Sequence, residues 1–174
     1  NIAYMVFEVE DKLFRIEQIL KKNQQPSIIY VRNRKSCLDI SSQLQCLGFK
    51  ATYYHGGLTS REKDKNMQLW MDEEAQVIVA TNAFGMGIDK ANVKTVIHIQ
   101  LPENLENNYQ EAGRAGRNGE KAFAVLLTSP SDILQTESQF LAILSDKKFL
   151  NLMYVKLCNY FQIAYGEGIY EQFT

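Results

Sequence analysis

Long apolar runs, an excess of one charge and paired cysteines are all missing from this sequence, and each absence closes off a class of function. No stretch of about 18 apolar residues occurs, so a membrane span is not expected. No basic-then-apolar leader opens the chain either. Of the three cysteines, Cys37, Cys46 and Cys158, no two form a Cys-x-x-Cys pair. One bridge would leave a thiol over, which suits a reducing cytosol better than a secreted scaffold. A cytoplasmic location with no membrane partner is therefore expected. The chain opens on Asn1 rather than Met, as a fragment or processed chain would. Lys and Arg total 19 against 20 Asp and Glu, a net charge of −1. A domain that wraps nucleic acid over a whole face is usually basic. Any such contact here is expected to be local, carried by a few side chains and backbone amides.

What is present is 45 % apolar residues, enough for a substantial core. Five short runs, at 27–31, 51–54, 76–80, 95–99 and 122–127, are mostly β-branched or aromatic and lack polar alternation. Strands buried on both faces of a parallel sheet have that pattern. Helical patterns at 11–22, 34–47, 59–71 and 104–116 lie between or beside them, and residues 3–9 offer an edge strand. The alternation predicts an α/β domain with a mainly parallel sheet. Thr59 and Glu62 have capping-box spacing. Gly48 follows Leu47 as a terminating glycine, and Asn118-Gly119 is expected to close the 104–116 helix. From Pro130 the alternation stops. Leu150, Met153, Tyr154, Leu157, Tyr160, Phe161 and Ala164 recur at helical spacing and predict a C-terminal helix packing on the domain or leading into a following one, with a base-stacking stripe as the alternative. The expected organisation is a domain over 1–130 and a helical extension over 131–174.

Ligands of an open parallel sheet gather beyond the carboxyl ends of its strands. The polar, glycine-rich clusters at 32–35, 55–57, 81–90 and around 100–117 fall there. On one continuous helix, Gln110, Arg114 and Arg117 share a face at i, i+4 and i+7. Two guanidiniums projecting together suit a phosphoryl group, because Arg keeps its charge and grips oxygens in a fork. Gly113 and Gly116 each cost about 1 kcal/mol relative to Ala inside a helix, so a close approach to their backbone is expected. The competing reading is a solvated face with Glu111 paired to Arg114. Gly85-x-Gly87 fits neither a dinucleotide fingerprint nor a phosphate-binding lysine loop, and alone it is a tight turn after a buried strand. Amides at the start of the 34–47 helix, with Arg32, Asn33, Arg34 and Lys35 nearby, suit a strand phosphate; a solvated basic loop is the alternative. His55 reads either as a backbone-phosphate contact or as a turn cap. Arg61 and Lys65 read as a charged outer helix face.

Gln110-x-x-Gly113-Arg114-x-Gly116-Arg117 is similar to motif VI of superfamily 2 helicases, in the wording typical of RecQ enzymes. The run from Val79 to Lys90 resembles RecQ motif V, and 27–36 resembles motif IV. Tyr54 to Leu58 resembles the family's Tyr-His-Ala-Gly-Leu, with Gly56 in place of Ala. The likeness spans residues 3 to about 130 and implies a RecA-like three-layer domain, the second motor domain of an ATP-dependent DNA helicase. It implies Arg117 as arginine finger, Arg114 as a second γ-phosphate contact and Gln110 beside them. It implies Asp89 at the nucleotide ribose, Gly85 and Gly87 close to ligand, and Thr81 at a DNA phosphate, with Arg32, Asn33, Arg34 and His55 completing the DNA-facing set. Neither Gly-x-x-x-x-Gly-Lys-Thr nor Asp-Glu-x-His occurs. ATP and Mg²⁺ would then be held mainly by a first RecA-like domain of the same protein, and this piece alone is expected to be inactive. The implied partners are single-stranded and partly duplex DNA, with 3′-to-5′ movement and a place in DNA repair and recombination. An RNA helicase domain of the same superfamily and a non-catalytic nucleic-acid-binding module are the rivals. RecQ proteins commonly continue into a four-cysteine zinc module. Leu150 to Thr174 offers Cys158 alone, and one thiolate cannot hold a four-coordinate zinc, so neither zinc nor another metal site is expected.

Overall fold

The computed structural model describes residues 1–85, 88–102, 104–136, 138 and 147–162. Among them, six strands form one sheet in which every pairing is parallel. They are β1 (Ile2–Glu8), β2 (Ser27–Tyr30), β3 (Ala51–Tyr54), β4 (Val77–Ala80), β5 (Thr95–His98) and β6 (Ala122–Thr128). Their spatial order is β1-β6-β5-β2-β4-β3. β2, β4 and β5 are buried along their whole length. Each lies between two neighbours with packing on both faces, which is why their sequences show no polar alternation.

Register sorts the side chains into two cores. Ile29 lies beside Val79 and Ile97 on the face covered by α1 (Lys12–Lys22) and α2 (Arg34–Cys46). There Ile16, Leu20, Cys37 and Leu44 complete one cluster. Ile28 lies beside Ile78 and Val96 on the opposite face, packed with Trp70 of α3 (Ser60–Met71), Phe84 and Ala115. Each fully buried aliphatic or aromatic side chain contributes roughly 1.5–3 kcal/mol. A one-residue slip of β2 would exchange the two sets, so the register is firmly specified.

Helix starts follow their caps. Asp11 accepts from the Phe14 N–H, Asn33 from Ser36, and Thr59 with Glu62 forms the reciprocal capping box. Gly48, at φ +87°, ends α2 as expected. The 104–116 helix is shorter than its pattern predicts. α4 runs from Leu105 to Ala112, capped at its start by Asn104 and at its end by Gly113, whose N–H donates to the Tyr109 carbonyl. The chain then turns, because the N–H groups of Gly116 and Asn118 donate to the Val93 and Ala91 carbonyls at 2.9 and 3.1 Å. Those bonds to the approach to β5 replace further helical bonds, so Gly119 (φ +82°) closes a turn and not a helix.

The chain crosses from β4 to β5 past β2, so connections leave the middle of the sheet in opposite directions. That places the switch point, where open sheets bind ligands, at the carboxyl end of β2. The chain divides into two compact units, Asn1–Ile133 and Leu134–Thr174. α5 (Pro130–Thr136) bridges that division in sequence, and α6 (Lys147–Phe161) lies in the second unit. On α6, Leu150, Met153, Tyr154, Leu157 and Tyr160 are exposed by 40 to 80 %. Phe149, Leu152 and Val155 are exposed as well, and Cys158 is buried. Ala164 lies outside the described residues.

Candidate functional site

Residues 113–118 form a run of turns in which the two arginines separate. Arg114 folds inward. Its Nη1 donates to the Gly85 carbonyl at 2.6 Å. A Cβ on Gly85 would overlap that guanidinium, so glycine is what lets the arginine in. Arg117 stays at the surface, where its Nη1 donates to Asp89 Oδ1 at 2.9 Å and to the Ile88 carbonyl at 3.0 Å. The side chains of this pair are 38 % and 84 % exposed. The expected shared helix face therefore does not form, because α4 ends before either arginine; Gln110 alone remains on the helix, exposed. Glu111 pairs with His98 and not with Arg114. The close approach expected at Gly116 is made by the protein itself. At φ +66°, a Cβ there would lie 2.8 Å from Ala122 Cβ and 2.6 Å from Asn1 Nδ2. Gly87 lies outside the described residues.

Beyond the carboxyl ends of β2, β3 and β4, one open groove is lined by Arg32, Asn33, Arg34, Gly56, Thr81 and Asn82. The fold thus gathers four of the five expected DNA-facing residues. Asn33 Oδ1 is committed to the Ser36 N–H as the α2 cap. Arg32 Nε donates to the Leu101 carbonyl at 3.2 Å, so this guanidinium also props the loop after β5. Arg34 and Lys35 are exposed. The Arg34 guanidinium lies across Gly57, whose Cβ would come within 2.6 Å of Nη1. Thr81 is buried at 6 % exposure, its N–H donating to the Tyr54 carbonyl. His55, 8 % exposed, stacks on Tyr53 at 6.0 Å and leaves Nδ1 buried without a partner. A Cβ on Gly56 would meet Ala83 Cβ at an ordinary 3.7 Å, so the alanine usual at that motif position fits. Beneath the groove, burial pushes the Cys37 thiol up to about 12.

Sequence spacing singled out neither Tyr30 nor His98, and it offered Glu111 the wrong partner. Tyr30 and His98 are register partners on β2 and β5, stacked at 5.3 Å with 16° between their planes. His98 Nε2 and Glu111 Oε2 are 2.7 Å apart, and the Tyr30 hydroxyl donates to the Phe84 carbonyl at 3.0 Å. Burial pushes the Tyr30 hydroxyl far above its ordinary range, so it remains a donor. The available signal was a polar ring directly after two consecutive buried aliphatic residues in each strand, where an unpaired polar group would be costly. Among the described residues, no group of three or more His, Cys, Asp or Glu is placed to hold a metal ion. No helix among them is long and apolar enough to cross a membrane.

A parallel sheet packed on both faces, with its loop clusters at one edge, is the architecture of RecA-like motor domains. Solved structures agree. The Escherichia coli DEAD-box protein SrmB, bound to regulator of ribonuclease activity A, superposes with a TM-score of 0.68 and 25 % identity, covering 75 % of this chain and 78 % of that one. A DEAD box protein from the hyperthermophile Methanococcus jannaschii gives 0.66 and 24 %, covering 79 % and 39 %. The helicase conserved C-terminal domain family matches residues 11–119. The ATP-dependent DNA helicase RecQ of Bacillus subtilis is 41 % identical over 135 residues, 77 % of this chain and 23 % of that protein. The ATP-dependent helicase SGS1 of Saccharomyces cerevisiae is 41 % identical over 139 residues, 76 % of this chain and 10 % of the relative. This chain therefore belongs to the RecQ family of helicases, within the helicase conserved C-terminal domain. It spans about a quarter or less of the length of these relatives.

Proposed function

We propose that this chain is the second motor domain of an ATP-dependent DNA helicase, completing a nucleotide site whose phosphate-binding lysine and Mg²⁺-managing acid lie on a first RecA-like domain. The observation that carries this reading is the exposed Arg117–Asp89 pair, 2.9 Å apart. It presents a fork of donors suited to phosphoryl oxygens beside a carboxylate suited to ribose hydroxyls. An ion pair this exposed is worth little in itself, so exchanging it for a ligand is inexpensive. ATP supplies the phosphoanhydride whose cleavage drives the motor. Arg117 stabilises the charge that spreads over the transferring phosphoryl, and Asp89, released from Arg117, accepts from the ribose. Arg34, Lys35, the α2 amides and Thr81 hold the tracking strand by its backbone. Alternate closing and opening of the two domains moves the protein along single-stranded DNA, in the 3′-to-5′ sense of RecQ enzymes.

Replacing Arg117 by Ala in the full-length protein is expected to lower DNA-stimulated ATP hydrolysis by about 10³-fold or more. A rate within a few-fold of wild type would remove the finger assignment. Substituting RNA for DNA in the same assay separates an RNA-directed motor, and the absence of hydrolysis with either would leave a binding module.

A further inference from the structure

Two consecutive carbonyls of the loop after β4 are held from outside that loop. The Tyr30 hydroxyl donates to the Phe84 carbonyl at 3.0 Å, and Arg114 Nη1 donates to the Gly85 carbonyl at 2.6 Å. Both holders are themselves held. The Arg114 N–H donates to the Glu111 carbonyl at 3.2 Å, Tyr30 stacks on His98, and the Glu111 carboxylate grips His98 Nε2 at 2.7 Å. Tyr30 and His98 are buried, while Glu111 and Arg114 are half-buried. The four side chains come from β2, β5, α4 and the turns after α4. They therefore tie the sheet to both segments proposed to meet ligand, the 81–85 loop on the strand side and the Arg117 turn on the nucleotide side. A carboxylate–histidine pair with one partner buried and the other half-buried costs desolvation, and its common return is a single arrangement of its surroundings rather than added stability. Nothing in strand gripping or in finger chemistry requires Glu111 or His98.

We propose that Glu111 and His98 are positioning residues that couple the strand grip to hydrolysis. By fixing Tyr30 and Arg114 they hold the 81–85 loop in register with the Arg117 turn, so that a displacement of one reaches the other. Arg114 thereby acts as a strut between the loops rather than as a phosphate contact. The coupling rests on the proposed motor function; the holding of the loop does not.

Two measurements separate these parts. Hydrogen exchange of the protein without nucleotide, read on the peptide covering Thr81 to Gly85, reports the loop, in which the Phe84 N–H donates to the Thr81 carbonyl at 2.9 Å. Glu111→Ala is expected to speed exchange there about ten-fold or more, leaving β2 and β5 protected. Glu111→Gln, which keeps an acceptor for His98, is expected to restore most of the protection. In the full-length protein with saturating single-stranded DNA, Glu111→Ala is expected to lower kcat about ten-fold with KM for ATP within about two-fold, and Glu111→Gln to recover most of it. Unchanged exchange in Glu111→Ala overturns the positioning role, and protection lost across the whole sheet reduces it to a structural one, which also overturns the proposal. Faster loop exchange with unchanged kcat overturns the coupling. Wild-type protein without any DNA-stimulated hydrolysis would instead defeat the motor reading, with the exchange result still deciding whether the loop is held.

Discussion

Arg114 and Arg117 leave the same turn three residues apart and meet opposite surroundings, one beneath a loop and the other at the surface beside Asp89. Gly116 makes this possible, since its φ of +66° reverses the chain between them where a Cβ would strike Ala122. Gly116→Ala is accordingly expected to destabilise the protein by about 1–3 kcal/mol in urea unfolding. Gly56→Ala has ordinary backbone geometry and an ordinary 3.7 Å contact with Ala83, and is expected to be neutral or to stabilise by up to about 1 kcal/mol. Equal losses for the two would contradict this account. The motif spelling announced every one of these residues but not the job of each. Gly85 makes room for Arg114, and Gly116 for Asn1 and for Ala122 of β6; these contacts depend on how the strands and turns fold together, so local spacing could not assign them. The His98–Glu111 pairing was hidden for the same reason, because it exists only once β5 and α4 are brought together.

At the scale of elements, the strands were legible because burial on both faces leaves an unbroken apolar run, and the helix starts because their capping side chains sit at fixed offsets. The end of α4 was not. Gly113 serves equally well within a helix or as its cap, and the decision was taken by the Val93 and Ala91 carbonyls, which claim the N–H groups of Gly116 and Asn118. The link between α1 and α5 was likewise hidden, since Lys12 and Asp132 stand at opposite ends of the first unit's sequence yet form an ion pair. Burial raises the Asp132 carboxyl, but the Lys12 ammonium and the Ser129 donors outweigh it and hold the group below the ordinary aspartate range. A carboxyl depressed in the folded state contributes stability above its unfolded pKa and loses it as pH falls through its folded one. Asp132→Asn is therefore expected to cost about 1–3 kcal/mol at neutral pH. The gap to wild type should close as acid protonates the carboxylates, and a difference indifferent to pH would show that the charge is not what matters.

For the whole molecule, a net charge of −1 restricts how it can hold an anionic strand. The exposed cations at the groove are concentrated at the start of α2, in Arg34 and Lys35, while Arg32 is partly engaged by the Leu101 carbonyl and Thr81 and the α2 amides carry no net charge. Counterion release makes the dependence of log K on log salt proportional to the phosphates neutralised, about 0.7 per contact on single strands. Replacing Arg34 and Lys35 together by Ala should flatten that slope by about 1.4 for single-stranded DNA bound to the full-length protein. The Arg61→Ala, Lys65→Ala double variant removes the same charge from exposed positions on α3 and should leave the slope unchanged. If both variants flatten it equally, attraction is diffuse over the surface and the groove does not hold the strand. If only the first does so, two cations and a helix start suffice for this domain to grip its track while remaining close to neutral overall.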